Sequence, residues 1–250
     1  MSHSVLLEVC ANSVTSALAA QNGGAVRVEL CENLLEGGTT PSHGQILLAR
    51  KLLHIKLYVL IRPRGGDFLY TDLEYDVMSA DIRYCIEAGC DGIVIGILNA
   101  DGTIDKKRCS ELVSLTKQRG VGVTFHRAFD MCNDMDQALE DIIEIGCERI
   151  LTSGGKSTAM EGSSVIANLI KKAAGRITIM PGSGINENNA ADLVRFTGAT
   201  ELHSTAKAPV PSKMTYVNDY IILSNNFDGD NSYELTDVAR VKKILKAVNE

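Results

Sequence analysis

The stretch AGCDGIVIGI, residues 88–97, decides the fold. After Ala88 comes a Gly able to end a helix, followed by a small residue, Cys90, and then by an apolar run rich in Val and Ile. A buried parallel strand that follows a helix reads this way. The same joint precedes three other apolar runs, in GGAVRVEL (23–30), IGCERILT (145–152) and TGATELHS (197–204). A joint repeated in one design implies a repeated helix-to-strand unit.

Working outward, VLLEV (5–9), KLYVLI (56–61), GVTF (122–125) and ITIM (177–180) complete a set of eight predicted strands. Between them, Ser13, Ser42, Thr71 or Asp72, Asp105, Asp134 and Asn186 suit helix N-caps. A weaker helix fills roughly 160–174, and ELTDVARVKKILKAVNE (234–250) closes the chain. Strict alternation implies a parallel sheet, and eight units in 250 residues predict a closed (β/α)8 TIM barrel, a single domain over 1–250. Residues 207–233 fall outside the alternation. They contain Pro209, Pro211 and SNNFDGDN, and read as an extended loop between strand eight and the last helix, in which YIIL (220–223) is expected to pack.

Composition narrows the function classes. A net charge of -6 without a long run of like charge argues against nucleic-acid or membrane-surface partners. The first residues lack a basic start, Glu8 and Asn12 interrupt the apolar run a signal peptide needs, and no segment is long and apolar enough to span a bilayer. The reading is a cytoplasmic protein with no nucleic-acid or membrane partner. Its seven cysteines have no CxxC spacing, so free thiols are expected rather than a disulfide framework. Cys85 and Cys109 fall in helices, and Cys90 and Cys147 at joints, as packing residues.

Barrel active sites form at the carboxyl ends of the strands, and here those ends are polar. Strand one carries Glu8 and Cys10, strand two Glu29 and Cys31, strand three Arg62 and Arg64 with Asp67 in IRPRGGDF, strand five His126, Arg127 and Asp130 in FHRAFD, and strand eight His203. Side chains two apart on a strand share a face, so Glu8 accompanies Cys10 and Glu29 accompanies Cys31. One reading makes Glu8 and Glu29 architectural partners of Arg62 and Arg127. The other is a functional pocket, in which arginines bind a small anionic ligand while Glu8, Glu29, His126, Asp130 and His203 supply acid–base chemistry.

Two Gly-rich loops add candidate anion sites: Ser153 and Gly154 in TSGGKST (152–158), and Gly182, Ser183 and Gly184 in PGSGINENN (181–189). The first lacks the spacing of a nucleotide-binding P-loop, and no organic cofactor motif is present. Cys10 and Cys31 lie on neighbouring strands, close enough to share a soft ion such as Cu(I), or Zn(II) with Glu and His. Buried inert thiols are the alternative.

EVCANS, VELCENLLEGGTTPS, IRPRGGDFLY, TFHRAFDM, ILTSGG and ATELHSTA together resemble the CutC family, from LEVCANS through ELHSTA. The resemblance implies a cytoplasmic (β/α)8 barrel that often forms a homo-oligomer and serves copper homeostasis. It implies copper carried by Cys10 and Cys31, and it supplies no reaction. An enzyme for a small anionic or phosphorylated metabolite, using Arg62 and Arg64 with Glu29 and His126, stays open beside it.

Overall fold

The structure is a computed structural model that describes residues 4–117, 119–216, 218, 220–221 and 229–250. Strands and helices alternate as β1 (Leu6–Ala11), α1 (Val14–Gly23), β2 (Arg27–Leu30), α2 (His43–Leu52), β3 (Lys56–Leu60), α3 (Asp72–Glu87), β4 (Gly92–Ile95) and α4 (Lys106–Lys117). They continue as β5 (Gly122–Phe125), α5 (Met135–Ile145), β6 (Arg149–Thr152), α6 (Ser163–Ala173), β7 (Thr178–Pro181), α7 (Ala190–Thr197) and β8 (Glu201–Ser204), and α8 (Val238–Asn249) ends the chain. From β1 to β7 each strand pairs in parallel with the next in sequence, and β8 pairs in parallel with β1. β7 and β8 meet at the seam, so the (β/α)8 TIM barrel of the sequence reading is the fold.

Local chemistry sets the units. Gly24, Gly89, Gly146 and Gly198, at the four repeated joints, have φ of 98°, 78°, 91° and 74°, the left-handed conformation that stops a helix and turns the chain into the next strand. Ser13, Ser42, Thr71, Asp105 and Asp134 each accept a backbone N–H from the first turn of the following helix. Asn186 differs, because α7 starts only at Ala190. The Asn186 side chain accepts from Asn188 N and forms a turn ahead of the helix.

Strand alternation divides the sheet into two faces. Leu7, Val9, Val28, Leu30, Leu57, Val59, Ile93, Ile95, Val123 and Phe125 point outward into the main core against the helices. A second, small cluster of Cys10, Cys31, Tyr58, Leu60 and Val94 lies inside the barrel. The other inward positions include the ionisable Glu8, Arg27, Glu29, Arg149, Glu201 and His203, with Thr124, Leu151 and Met180 among them and glycines at 92 and 96. A Cβ on Gly92 would run into the Tyr58 ring, and one on Gly96 into the His126 ring, so these two glycines of the opening stretch leave room for the largest interior side chains.

After β8 the chain does not stay a loop throughout. β9 (Lys207–Pro211) and β10 (Ser232–Thr236) pair antiparallel, and this hairpin rests on the start of α1 through Asn12 to Glu234 O and Thr236 N to Ser16 Oγ. Of the expected packing segment 220–223, Tyr220 and Ile221 are exposed, and residues 222 and 223 lie outside the described residues. All seven cysteines are free, and no helix among the described residues is long and apolar enough to cross a membrane.

Candidate functional site

The interior of the barrel is built in two storeys. The lower one is an ion network that the sequence reading missed. Arg27 binds both Glu8 and Glu201. Arg149 donates through Nε to Glu201 at 2.7 Å and through Nη1 to Glu148 at 2.9 Å. Both guanidiniums lie over the Tyr58 ring, with Cζ 5.2 and 5.6 Å from its centroid, and Tyr58 Oη binds Glu148. Glu8 therefore pairs with Arg27 rather than with Arg62 or Arg127, which corrects the expected partner. Burial pushes the Glu8 carboxyl up, but Arg27, His203 and Arg149 outweigh it and hold it down at about 2.

Ionised Glu8 links the two storeys. A carboxylate only accepts, so the 2.8 Å contact from His203 Nδ1 to Glu8 Oε1 places a proton on Nδ1 and turns Nε2 upward, 3.4 Å from Glu29 Oε2. Register explains the convergence: Glu8 lies beside His203 on β8, and Cys10 beside Glu29 on β2. Potential ligand atoms of Cys10, Glu29 and His203 all fall within 4.8 Å of one another, and Cys31 Sγ is 3.4 Å from Cys10 Sγ. Contact with Cys31, then burial, pushes the Cys10 thiol well up. Burial also raises Glu29, against the pull of His203. Burial works against the His203 imidazolium, but Cys10, Glu8 and Glu29 favour it more strongly and raise its pKa.

Above this cluster lies a cavity of about 100 Å³. Cys10, Glu29, Cys31 and His203 line one end, and Arg62, Phe68 and His126 another, with Leu60, Leu151, Gly37 and Arg127 completing the wall. The Arg62 Nη atoms donate to three backbone carbonyls, Glu36, Gly38 and Gly66, each at 2.7 Å, and so tie the loops after β2 and β3 together. His126 Nδ1 accepts from Ala128 N at 3.1 Å. Burial, reinforced by Arg62, depresses His126 to about 3, so it is a neutral imidazole at pH 7 and donates hydrogen bonds rather than acting as an imidazolium acid.

The remaining predicted site residues lie apart from the cavity, except Arg127, which contributes to its wall. Arg64 binds Glu74 at 2.6 Å and Asp67 at 3.0 Å on the surface, as a loop clamp. Arg127 Nε donates to Asp130 at 2.8 Å. Asp130 in turn accepts from Ser153 N and Gly155 N, both at 3.0 Å, and from Thr152 Oγ1 at 2.5 Å. The backbone donors expected to cradle an outside anion in TSGGKST are thus occupied by a carboxylate of the chain itself, and Gly154 lies within that loop against Gly162. In PGSGINENN, Ser183 Oγ donates to Ser157 O, Gly184 O accepts from Asn189, and Gly182 gives room to His203 and Leu151. None of these loop residues lines the cavity.

The donor set at Cys10 fits a soft metal ion. Tetrahedral thiolates at a metal–sulfur length of about 2.3 Å stand roughly 3.8 Å apart, so the 3.4 Å sulfur pair has to open by only a few tenths of an ångström. The Glu8–His203 contact is the carboxylate–histidine arrangement that orients metal ligands. Sequence reasoning placed Cys10 and Cys31 together and named Glu and His as further ligands for Zn(II), but gave Glu29 and His203 acid–base roles rather than singling them out as ligands.

Comparison with known proteins agrees with this architecture. The CutC family model matches residues 5–208, ending where the β9–β10 hairpin begins. A family protein CutC from Xylella fastidiosa (strain Temecula1) is 46% identical over 244 residues, spanning 98% of this chain and 89% of its own length. The copper homeostasis protein cutC homolog of Mus musculus is 47% identical over 240 residues, 96% of this chain and 88% of its own. The crystal structure of CutC from Streptococcus agalactiae superposes with a TM-score of 0.76 at 36% identity, covering 80% of this chain and 98% of that one.

Proposed function

The chain belongs to the CutC family, and from that premise we propose that it serves copper homeostasis by holding Cu(I) between Cys10 and Cys31, with His203 and Glu29 as neighbouring donors. The observation that carries this reading is the 3.4 Å sulfur pair beside an imidazole whose far nitrogen is fixed by Glu8. Thiolates select soft ions, and imidazole is compatible with them. Cys10 has to lose its proton when the ion enters, so binding releases protons and tightens as pH rises.

Anaerobic titration of the reduced full-length chain against a competing Cu(I) chelator tests this. The expected result is one tightly held ion per chain, lost when Cys10→Ser and Cys31→Ser are combined. Glu8→Gln, which keeps the shape but weakens the anchor on His203, should lower affinity by roughly 10–100-fold. Copper affinity unchanged in the double Ser variant removes these residues from the proposal. Tighter binding of Zn(II) than of Cu(I) reassigns the ion.

A cytoplasmic location goes with this reading, supported by the free thiols, which a reducing compartment maintains. Self-association is supported by exposed Leu47, Leu48 and Leu52 on α2 and Leu73 and Val77 on α3. Sedimentation giving a monomer at all concentrations would count against that part.

A further inference from the structure

We infer that the cavity also binds a small carboxylate, held between the Nε–H of Arg62 and the Nε2–H of His126. This goes beyond the copper proposal and does not depend on it, because neither donor is one of the residues proposed to hold the ion.

The argument begins with two donors that lack partners. His126 accepts from Ala128 N at Nδ1, so its single proton sits on Nε2. That N–H is buried and has no partner among the described residues; Arg62 Nε likewise makes no hydrogen bond, and the polar atom beside that guanidinium, the buried Tyr70 Oη, is itself unpartnered. His126 and Arg62 are only 5% and 4% exposed, so bulk solvent does not serve them. Buried polar groups are nearly always satisfied, and exceptions call for an explanation. Both are donors, so what satisfies them is an acceptor.

Charge points the same way. Arg62 has three carbonyls for partners and no carboxylate among the described residues, unlike Arg27, Arg149 and Arg127. A buried guanidinium without a counter-ion favours an anion within reach. The two donors also share a wall. Phe68 packs against both, its centroid 5.0 Å from Arg62 Cζ and 5.0 Å from the His126 ring centroid.

Size and lining define the class. A cavity of about 100 Å³ corresponds to roughly three waters of liquid at about 30 Å³ each, space for a molecule of about four to six heavy atoms. Two N–H groups and an apolar lining of Leu60, Phe68 and Leu151 suit a planar monoanion better than a phosphate, which calls for a denser cradle of donors. The loop able to offer such a cradle, at Ser153 and Gly155, is already filled by Asp130.

The test uses the full-length reduced chain, freed of metal by a chelator, so a failed copper proposal leaves it interpretable. Acetate, pyruvate and inorganic phosphate are titrated at constant ionic strength while the ¹⁵N and ¹H resonances of His126 Nε2–H are followed. Acetate or pyruvate should shift them saturably and leave those of exposed His43 and His54 in place. In His126→Phe the affinity, read from thermal stabilisation, should fall roughly ten-fold or more. That variant also removes the acceptor for Ala128 N, so the wild-type titration stands alone if it folds poorly. Absence of saturable shifts with either carboxylate overturns the proposal, and saturation by phosphate alone overturns the assignment of class.

Discussion

The ion network under the cavity allows a quantitative test on two residues, Arg149 and Glu201. Arg149 gives Glu201 a 2.7 Å bond from Nε and a 3.3 Å bond from Nη2, and reaches Glu148 at 2.9 Å and Thr124 Oγ1 at 3.3 Å. Arg149→Met leaves Glu201 with Arg27 alone. Breaking a buried pair by removing one partner costs about 3–5 kcal/mol, and the surviving Arg27 contact puts this case near the lower end. Glu201→Leu strips charge from both guanidiniums, so about 4 kcal/mol is expected. The double variant removes the interaction as a unit and leaves the Arg27–Glu8 pair balanced. Its loss should fall at least about 2 kcal/mol short of the sum of the single losses. Urea unfolding followed by circular dichroism reads all four proteins. In thermal unfolding the Arg149 variant should melt roughly 6–12 °C lower, at about 2–4 °C per kcal/mol for a chain of this size. Losses that add within about 0.5 kcal/mol would refute the idea of one coupled network. A single loss below about 1 kcal/mol would mean that Arg149 behaves as a surface ion pair.

Two further outcomes follow from the upper storey. His126 has an ordinary value of 6.5 and is held at about 3 in the fold, so between these values the unfolded chain binds more protons and stability rises with pH. That contribution is complete above about pH 6.5 and is lost as pH falls toward 3; urea midpoints measured across this window should decline, and His126→Phe should flatten the decline. Gly96→Ala drives a methyl into the His126 ring and should cost about 1–3 kcal/mol by urea unfolding, with weaker carboxylate binding. An unchanged midpoint would mean that the ring has room to move.

The barrel was legible because its signals are local and repeated. Period-two alternation marks a strand, a Gly at the joint marks the preceding helix end, and eight repeats leave little choice of architecture. The same alternation placed Glu8 with Cys10 and Glu29 with Cys31 on the inner face. Depth was not legible. Parity says which face a side chain occupies, whereas its height within the barrel depends on how neighbouring strands are staggered. Glu8 was therefore assigned to the mouth, although the register sets it beside Arg27 and His203. Arg27, Arg149 and Glu201 each stand two residues before an inward residue, Glu29, Leu151 and His203, so the alternation that found the upper positions also marks the lower ones. Strand ends alone do not reveal this lower layer.

Arg64 illustrates a different failure. It lies two residues beyond Arg62, but β3 ends at Leu60, and past Pro63 the alternation no longer applies. The partner of the TSGGKST amides was hidden for another reason: Asp130 comes from the preceding unit, and the pairing of β5 with β6 brings it there.

The layer formed by Arg27, Arg149, Glu201 and Tyr58 has a kinetic consequence. It fills the barrel beneath the cavity with paired charge and an aromatic ring, so there is no through-passage from the opposite end. Whatever enters must leave by the same door, in reverse order of arrival. An ion seated at Cys10 lies deeper than a carboxylate seated at Arg62 and His126. An occupied outer seat then slows both arrival and departure at the inner one, whatever the affinity of either.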